Sequence, residues 1–127
     1  MFKRIDHVEL IPSDFEKTIS FYKDILGFQE KERHAIDMPP LRGIIYLTLG
    51  DTMVEFLDVD KPDSAPDNPW TVGYNAIAIE VDDMDEAVAY LKDKGIEMAW
   101  GPVNIGGSIR AEIRDPDGRT IELRQWL

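Results

Sequence analysis

The sequence runs through the same succession of elements twice, and this duplication constrains the fold more than any other feature. A strand-like run at residues 5–11 opens the first pass, and a similar run at residues 74–81 opens the second. His7 and Ala76 are 69 positions apart, and so are Ser13 and Asp82. Because each half of such a duplication has an open face that must be covered, we expect the two halves to enclose a cavity.

Turn and capping signals divide each half into the order β-α-β-β-β. Ser13 and Glu16 have the capping-box spacing, which predicts a helix with Ser13 as N-cap that ends before Gly27. The acidic run 82–85 predicts a second helix, which ends before Gly95. The predicted strands are 5–11, 28–34, 43–49, 52–59, 74–81, 96–100, 109–114 and 120–125, with loops at 37–40 and 102–108.

Length and composition favour one domain with a core of its own. The 127 residues predict a single domain, with module 1 at about 1–60, a linker rich in proline at 61–72 and module 2 at about 73–127. The absence of cysteine excludes disulfides and thiolate ligands. A net charge of −11 disfavours nucleic acid and anionic membranes as partners, and we expect a cytoplasmic protein.

The Asp115-Pro116-Asp117-Gly118 stretch predicts a tight turn that joins two strands. In the return strand Ile121 and Leu123 share one face, so Glu122 must lie on the other. A weaker copy occurs in the first half, where a turn at 50–51 leads to a strand that carries Glu55. Each half therefore ends in a hairpin with a glutamate on one face of its last strand.

Alternation along the strands predicts which side chains face the cavity. The helices cover the apolar face of each sheet, so strand residues of the opposite parity point inward. One histidine and two hairpin glutamates thus converge from three strands. The predicted cavity residues are His7, Glu9, Tyr46, Thr48, Glu55, Leu57, Ala76, Ala78, Arg110, Glu112, Arg114, Glu122 and Arg124.

These motifs together resemble the vicinal oxygen chelate superfamily, and the likeness spans essentially the whole chain. The superfamily includes glyoxalase I, methylmalonyl-CoA epimerase, extradiol dioxygenases, fosfomycin-resistance enzymes and bleomycin-binding proteins. The resemblance implies an α+β fold in which two βαβββ modules form paired half-barrel sheets around a cavity. It is carried by residues 5–8, Ser13-Asp14, Phe21-Tyr22 ahead of Leu26-Gly27-Phe28, and residues 115–118 leading to Ile121-Glu122-Leu123.

The resemblance also implies a divalent metal, with one ligand at the start of each half and a glutamate in each late hairpin. The matching positions are His7, Glu55 and Glu122, whereas the fourth position holds Ala76, which cannot coordinate. One imidazole and two carboxylates suit Mn, Fe, Co, Ni or Zn and leave positions open for substrate oxygens. Ala76 disfavours the dioxygenase reaction, whose pattern requires a histidine at both strand starts.

We therefore expect a metal-dependent lyase or isomerase of glyoxalase type, in which Glu55, Glu122 or Glu9 moves a proton. Such an enzyme would act on a small oxygen-chelating substrate and would commonly be a homodimer. The alternative is a non-catalytic protein of the same fold that binds a small molecule or antibiotic, or, less favoured, a dioxygenase. The residues expected to orient an anionic substrate are Tyr46, Thr48, Arg110, Arg114 and Arg124, although the arginines can instead pair with the glutamates.

Overall fold

The computed structural model describes all 127 residues, which divide into two compact units, Met1–Ala65 and Pro66–Leu127. The division falls within the proline-rich stretch 61–72, and the organisation as one domain stays a prediction. No helix in either unit has the length and apolar character that crossing a membrane requires.

The first unit is a four-stranded mixed sheet with one helical segment. Its sheet order is β1-β4-β3-β2, with β1 parallel to β4 and the other pairs antiparallel. A π-helical turn at Phe21–Ile25 extends the helix α1 by five residues. The elements are β1 (Val8–Leu10), α1 (Phe15–Ser20), β2 (Gln29–Met38), β3 (Leu41–Leu49) and β4 (Thr52–Val59).

The second unit repeats this topology. Its sheet order is β5-β8-β7-β6, with β5 parallel to β8. The predicted α+β fold with two βαβββ modules is therefore confirmed, and each sheet is open at its edges. The elements are β5 (Ile77–Glu80), α2 (Met84–Asp93), β6 (Trp100–Asn104), β7 (Ser108–Arg114) and β8 (Thr120–Trp126).

Alternation along the inner strands separates an apolar face from a more polar face in each sheet. Ile45 and Phe56 are fully buried cross-strand partners, and the ring of Tyr22 lies with its centroid 4.8 Å from that of Phe56. Ile113 and Ile121 are the corresponding buried pair in the second unit. Burying these side chains on one face forces their neighbours in sequence, including the hairpin glutamates, onto the opposite face.

The helix caps lie one residue later than predicted. Asp14, not Ser13, is the N-cap of α1 and accepts a hydrogen bond from the Lys17 amide at 3.1 Å. The Glu16 carboxylate of the predicted capping box accepts a hydrogen bond from Arg33, at 2.8 Å. Asp83 caps α2 in the same way, so the two caps keep the 69-residue offset of the duplication.

Some strand bounds also differ from the prediction. The strands β1 and β5 are shorter, and β2 runs to Met38, into the segment that was expected to be a loop. The strand predicted at 96–100 lies instead at Trp100–Asn104, because Gly101 lets β6 pair with β7. A Cβ at Gly101 would lie 2.6 Å from the carbonyl oxygen of Arg110. Pro102 is tolerated since β6 is an edge strand.

The turn at residues 115–118 is held by the Asp115 carboxylate, whose side chain is 0% exposed. One oxygen accepts from the amides of Asp117 and Arg119, each at 2.9 Å. The other pairs with the Arg119 guanidinium at 2.6 Å. Gly118 has a φ of 75°, the left-handed conformation that the sequence predicts for glycine at this point. The predicted hairpin is thus confirmed, and a buried charge holds it together.

Replacing Asp115 with alanine is expected to lower the free energy of unfolding by about 2–4 kcal/mol, because buried amides and a guanidinium lose their acceptor. Asp51→Ala, in the exposed turn of the first unit, is the matched control and is expected to change stability by about 0.5 kcal/mol or less. Urea denaturation measures both. Equal losses for the two variants would contradict this role of Asp115.

Candidate metal centre

Three strands of the first unit bring polar side chains into one row. Glu9 of β1 is in register with Glu55 of β4, and Glu55 is in register with Tyr46 of β3. Residues directly opposite in neighbouring strands share a face, so these three side chains lie on the polar side of the sheet. His7 immediately precedes β1. The first unit therefore gathers four of the side chains that the sequence predicted for the cavity.

His7 and Glu55 form the centre of this group. The Nε2 atom of His7 lies 3.2 Å from a carboxylate oxygen of Glu55. The Glu55 side chain is only 7% exposed, and that of His7 is 26% exposed. A buried carboxylate costs free energy unless a positive charge or hydrogen-bond donors compensate for its lost hydration. The groups beside Glu55 that can compensate are the Tyr46 hydroxyl, which hydrogen-bonds to it, and Nε2 of His7.

The other ring nitrogen of His7 is engaged by a second carboxylate. Nδ1 lies 2.8 Å from an Asp6 oxygen, so Asp6 can accept a hydrogen bond from Nδ1 in a tautomer that carries the proton there. A neutral ring held in this way directs its Nε2 lone pair at Glu55, and two acceptors then face each other. Only a cation between them, either a proton or a metal ion, removes this conflict. A carboxylate behind a histidine is also the usual support of a metal-bound imidazole.

Tyr46 fixes the plane of the imidazole. Its ring meets that of His7 edge-on, with centroids 5.5 Å apart and an interplanar angle of 84°. Partial burial raises the pKa of the Tyr46 phenol, and the Glu55 carboxylate raises it further. The hydrogen bond to Asp6 raises the pKa of His7, and the charge of Glu55 acts in the same direction. The surroundings of Nε2 therefore favour a positive charge there.

The donor set fits one divalent ion. Nitrogen and oxygen atoms of His7, Glu9 and Glu55 all lie within 4.8 Å of one another. Bonds of about 2.0–2.2 Å to one ion place its ligand atoms about 3–4 Å apart, which small rotations of the exposed Glu9 side chain achieve. One imidazole with carboxylates is a donor set that suits Mn, Fe, Co, Ni or Zn.

Glu122 of the second unit has different partners. Its carboxylate forms ion pairs with Arg110 and with Arg124, the latter at 3.1 Å. Arg124 also donates to the Ser108 hydroxyl at 3.3 Å and lies over the Trp126 ring, 4.9 Å from its centroid. Glu122 therefore takes the arginine pairing that the sequence left open. Its role as a metal ligand stays a prediction.

The remaining predicted residues are distributed over both units. Ala76 immediately precedes β5, and Arg114 lies 3.6 Å from Glu112. The Thr48 hydroxyl donates to the Gln29 carbonyl at 3.4 Å. Substrate binding by these residues stays a prediction. Sequence reasoning missed Asp6, although a carboxylate next to a candidate ligand histidine was the available signal.

The duplicated βαβββ unit and the His7–Glu55 pair define a protein of vicinal oxygen chelate architecture. The chain belongs to the Glyoxalase/Bleomycin resistance protein/Dioxygenase superfamily, whose family model matches residues 4–123. The resemblance read from the sequence motifs is thereby confirmed. Members of one fold perform different reactions, so this membership does not define the reaction.

Individual relatives match over nearly the whole chain. Human mitochondrial methylmalonyl-CoA epimerase is 34% identical over 131 residues, covering 96% of this chain and 73% of that protein. The lactoylglutathione lyase of Neisseria meningitidis serogroup B is 31% identical over 132 residues, covering 96% and 90%. A crystal structure of a glyoxalase family protein from Enterococcus faecalis has a TM-score of 0.82 at 29% identity, covering 97% and 98%.

Replacing Arg124 with alanine is expected to lower the free energy of unfolding by about 1–3 kcal/mol, because the Glu122 side chain is only 14% exposed and loses one of two cations. Arg42→Ala is the matched control. Arg42 is 57% exposed and pairs with Asp58, so its loss is expected to cost at most about 1 kcal/mol. Urea denaturation at low salt measures both, and an Arg124 variant as stable as the Arg42 variant would contradict the buried pairing.

Proposed function

We propose that this protein is a divalent-metal-dependent isomerase or lyase that moves a proton on the carbon next to a carbonyl group. Its substrate would be a small anionic molecule that offers two neighbouring oxygens. The observation that carries this proposal is the 3.2 Å approach of His7 Nε2 to the buried Glu55 carboxylate, with Asp6 on the opposite ring nitrogen. A divalent ion held between Nε2 and the Glu55 carboxylate would satisfy both groups.

His7 and Glu55 would hold the metal ion, and Asp6 and Tyr46 keep the imidazole in the orientation that this requires. When bound, the ion supplies a Lewis acid that polarises a carbonyl and stabilises negative charge on its oxygen. Asp6 also selects the tautomer with the proton on Nδ1, so Nε2 stays available as a donor atom.

The proton must be accepted by a carboxylate, and the sequence offers Glu9, Glu55 and Glu122 for this step. Glu55 is buried against His7, which favours a holding role for it. Glu9 is exposed and Glu122 is only partly buried, so both are accessible to a substrate. The arginines paired with Glu122 would bind the anionic part of the substrate.

The relatives support this class of reaction. The human relative is named as a methylmalonyl-CoA epimerase and the Neisseria relative as a lactoylglutathione lyase. We propose the chemistry these names share, the movement of a proton beside a thioester carbonyl, for this chain as well. The homodimer and the cytoplasmic location expected from the sequence stay predictions.

A second candidate is a non-catalytic protein that binds a small molecule on the same fold. The pairing of Glu122 with Arg110 and Arg124 favours it, because those guanidinium groups occupy the carboxylate that an enzyme of this type would use as a ligand. Ala76 also favours a binding protein, because alanine cannot serve as a metal ligand at the position where such an enzyme has one. The superfamily to which the chain belongs is named in part after bleomycin resistance protein, which is consistent with a role in binding a small molecule.

The proposed enzyme must bind a divalent metal ion, and a titration tests this requirement. Isothermal titration of protein stripped with EDTA is expected to show about one Co²⁺, Ni²⁺ or Zn²⁺ per chain, and His7→Ala or Glu55→Gln is expected to weaken binding at least about 100-fold, because each removes a ligand. His34→Ala is the matched control, since the other histidine of the chain is exposed and pairs with Glu32. Binding that survives loss of His7 would contradict the assignment.

Hydrogen exchange separates the enzyme from the binder. Metal-loaded protein in D₂O is expected to exchange the proton beside the thioester carbonyl of methylmalonyl-CoA or lactoylglutathione, as followed by proton NMR. Glu55→Gln is expected to slow this exchange at least about 100-fold, equivalent to about 2.7 kcal/mol of barrier. A protein that binds both metal and thioester without any exchange would contradict the isomerase or lyase and favour the binder.

A further inference from the structure

We infer that Glu9 is a third protein ligand of the metal and replaces the ligand that Ala76 cannot provide. The inference rests on the proposed metal centre at His7 and Glu55, and it assigns to Glu9 a role that differs from proton transfer. It makes the first unit the source of three ligands.

The register of β1 and β4 places Glu9 where a ligand is needed. Glu9 and Glu55 are direct partners in the parallel pair, so both carboxylates project from the same face of adjacent strands. A Glu9 oxygen lies within 4.8 Å of both a His7 nitrogen and a Glu55 oxygen. Since Glu9 is exposed, its side chain can rotate to close the remaining gap to a shared ion.

In the second unit, the positions that correspond to His7 and Glu9 hold residues that cannot bind a metal ion. Ala78 of β5 is in register with Glu122, as Glu9 is with Glu55 in the first unit. Ala76 occupies the position that corresponds to His7. The second unit thus has alanine at both positions where the first has a histidine and a glutamate. The donor atoms have become concentrated in one half of the duplication.

Charge balance leads to the same assignment. Each unit holds two glutamates directly opposite each other on adjacent strands, Glu9 with Glu55 and Glu112 with Glu122. Like charges in this position destabilise a sheet unless they are neutralised. In the second unit three guanidinium groups neutralise the pair, those of Arg110, Arg114 and Arg124.

The Glu9–Glu55 pair instead has the imidazole of His7 beside it. When the imidazole is neutral, as a metal ligand must be, the two glutamates leave two negative charges at one point of the sheet. One divalent cation bound by all three side chains balances these charges, in the way that the arginines balance those of the second unit. The balance of charge therefore favours Glu9 as a ligand.

The test compares metal affinity in matched variants of the full chain stripped with EDTA. Glu9→Gln is expected to raise the dissociation constant for Co²⁺ at least about tenfold, and to change the visible absorption of bound Co²⁺, because a carboxylate ligand is lost. Glu32→Gln removes the same charge from the same row of the sheet, next to Tyr46, and is expected to change the constant less than about threefold.

The outcomes separate this inference from the proposed function. If the wild-type protein binds no Co²⁺, both the metal centre and the role of Glu9 are wrong. If it binds Co²⁺ and Glu9→Gln behaves as Glu32→Gln does, the metal centre stands and the ligand role of Glu9 is refuted. Loss of hydrogen exchange in Glu9→Gln with unchanged Co²⁺ affinity and absorption would likewise refute it and make Glu9 the proton carrier.

Discussion

A buried carboxylate that faces a histidine nitrogen is the interaction on which the site depends. Glu55 lies on the polar face of β4 because its neighbours Val54 and Phe56 are buried on the other face. Asp6 holds the His7 ring so that Nε2 points at this carboxylate. Nε2 and the Glu55 oxygen, 3.2 Å apart, are both satisfied when Nε2 carries a proton or when both bind one metal ion. The alternation of side chains along β4 thus places Val54 and Phe56 in the core and Glu55 beside His7 on the opposite face.

The two units of the duplication surround equivalent glutamates with different side chains. Both units keep the parallel pairing of their first and last strands and the glutamate in the last strand. The first unit surrounds its glutamate with a histidine and a second carboxylate, which favours a cation. The second surrounds Glu122 with Arg110 and Arg124, which form ion pairs with its carboxylate.

Local signals in the sequence were sufficient to predict the fold. Alternation along β3, β4, β7 and β8, the turn at Asp115 and the repeat of the first strand together predict two βαβββ units, as the structure has them. The mispredicted features are the N-caps of the helices and the bounds of some strands. Ser13 and Asp14 are both good N-caps, and only the backbone conformation selects Asp14. The bounds of β6 were mispredicted because they depend on the close approach of Gly101 to β7. That approach is a contact between strands, which no local pattern in the sequence shows.

The candidate site was predictable in its residue types but not in its pairings. Parity placed His7, Glu9 and Glu55 on one face, but the register of β1 against β4 is a long-range property that no local pattern specifies. The pairing of Glu122 with two arginines depends in the same way on the register of β7 against β8, which the sequence does not specify locally. Asp6 was overlooked because an exposed acid is common, and its importance appears only with the ring orientation of His7.

Anomalous X-ray diffraction from crystals soaked with Zn²⁺ tests the central claim most directly. We expect one strong peak about 2.0–2.2 Å from His7 Nε2 and from a Glu55 oxygen, with a Glu9 oxygen turned toward it. The contradicting result is a crystal in which this point stays empty at saturating Zn²⁺ and a protonated His7 donates directly to Glu55.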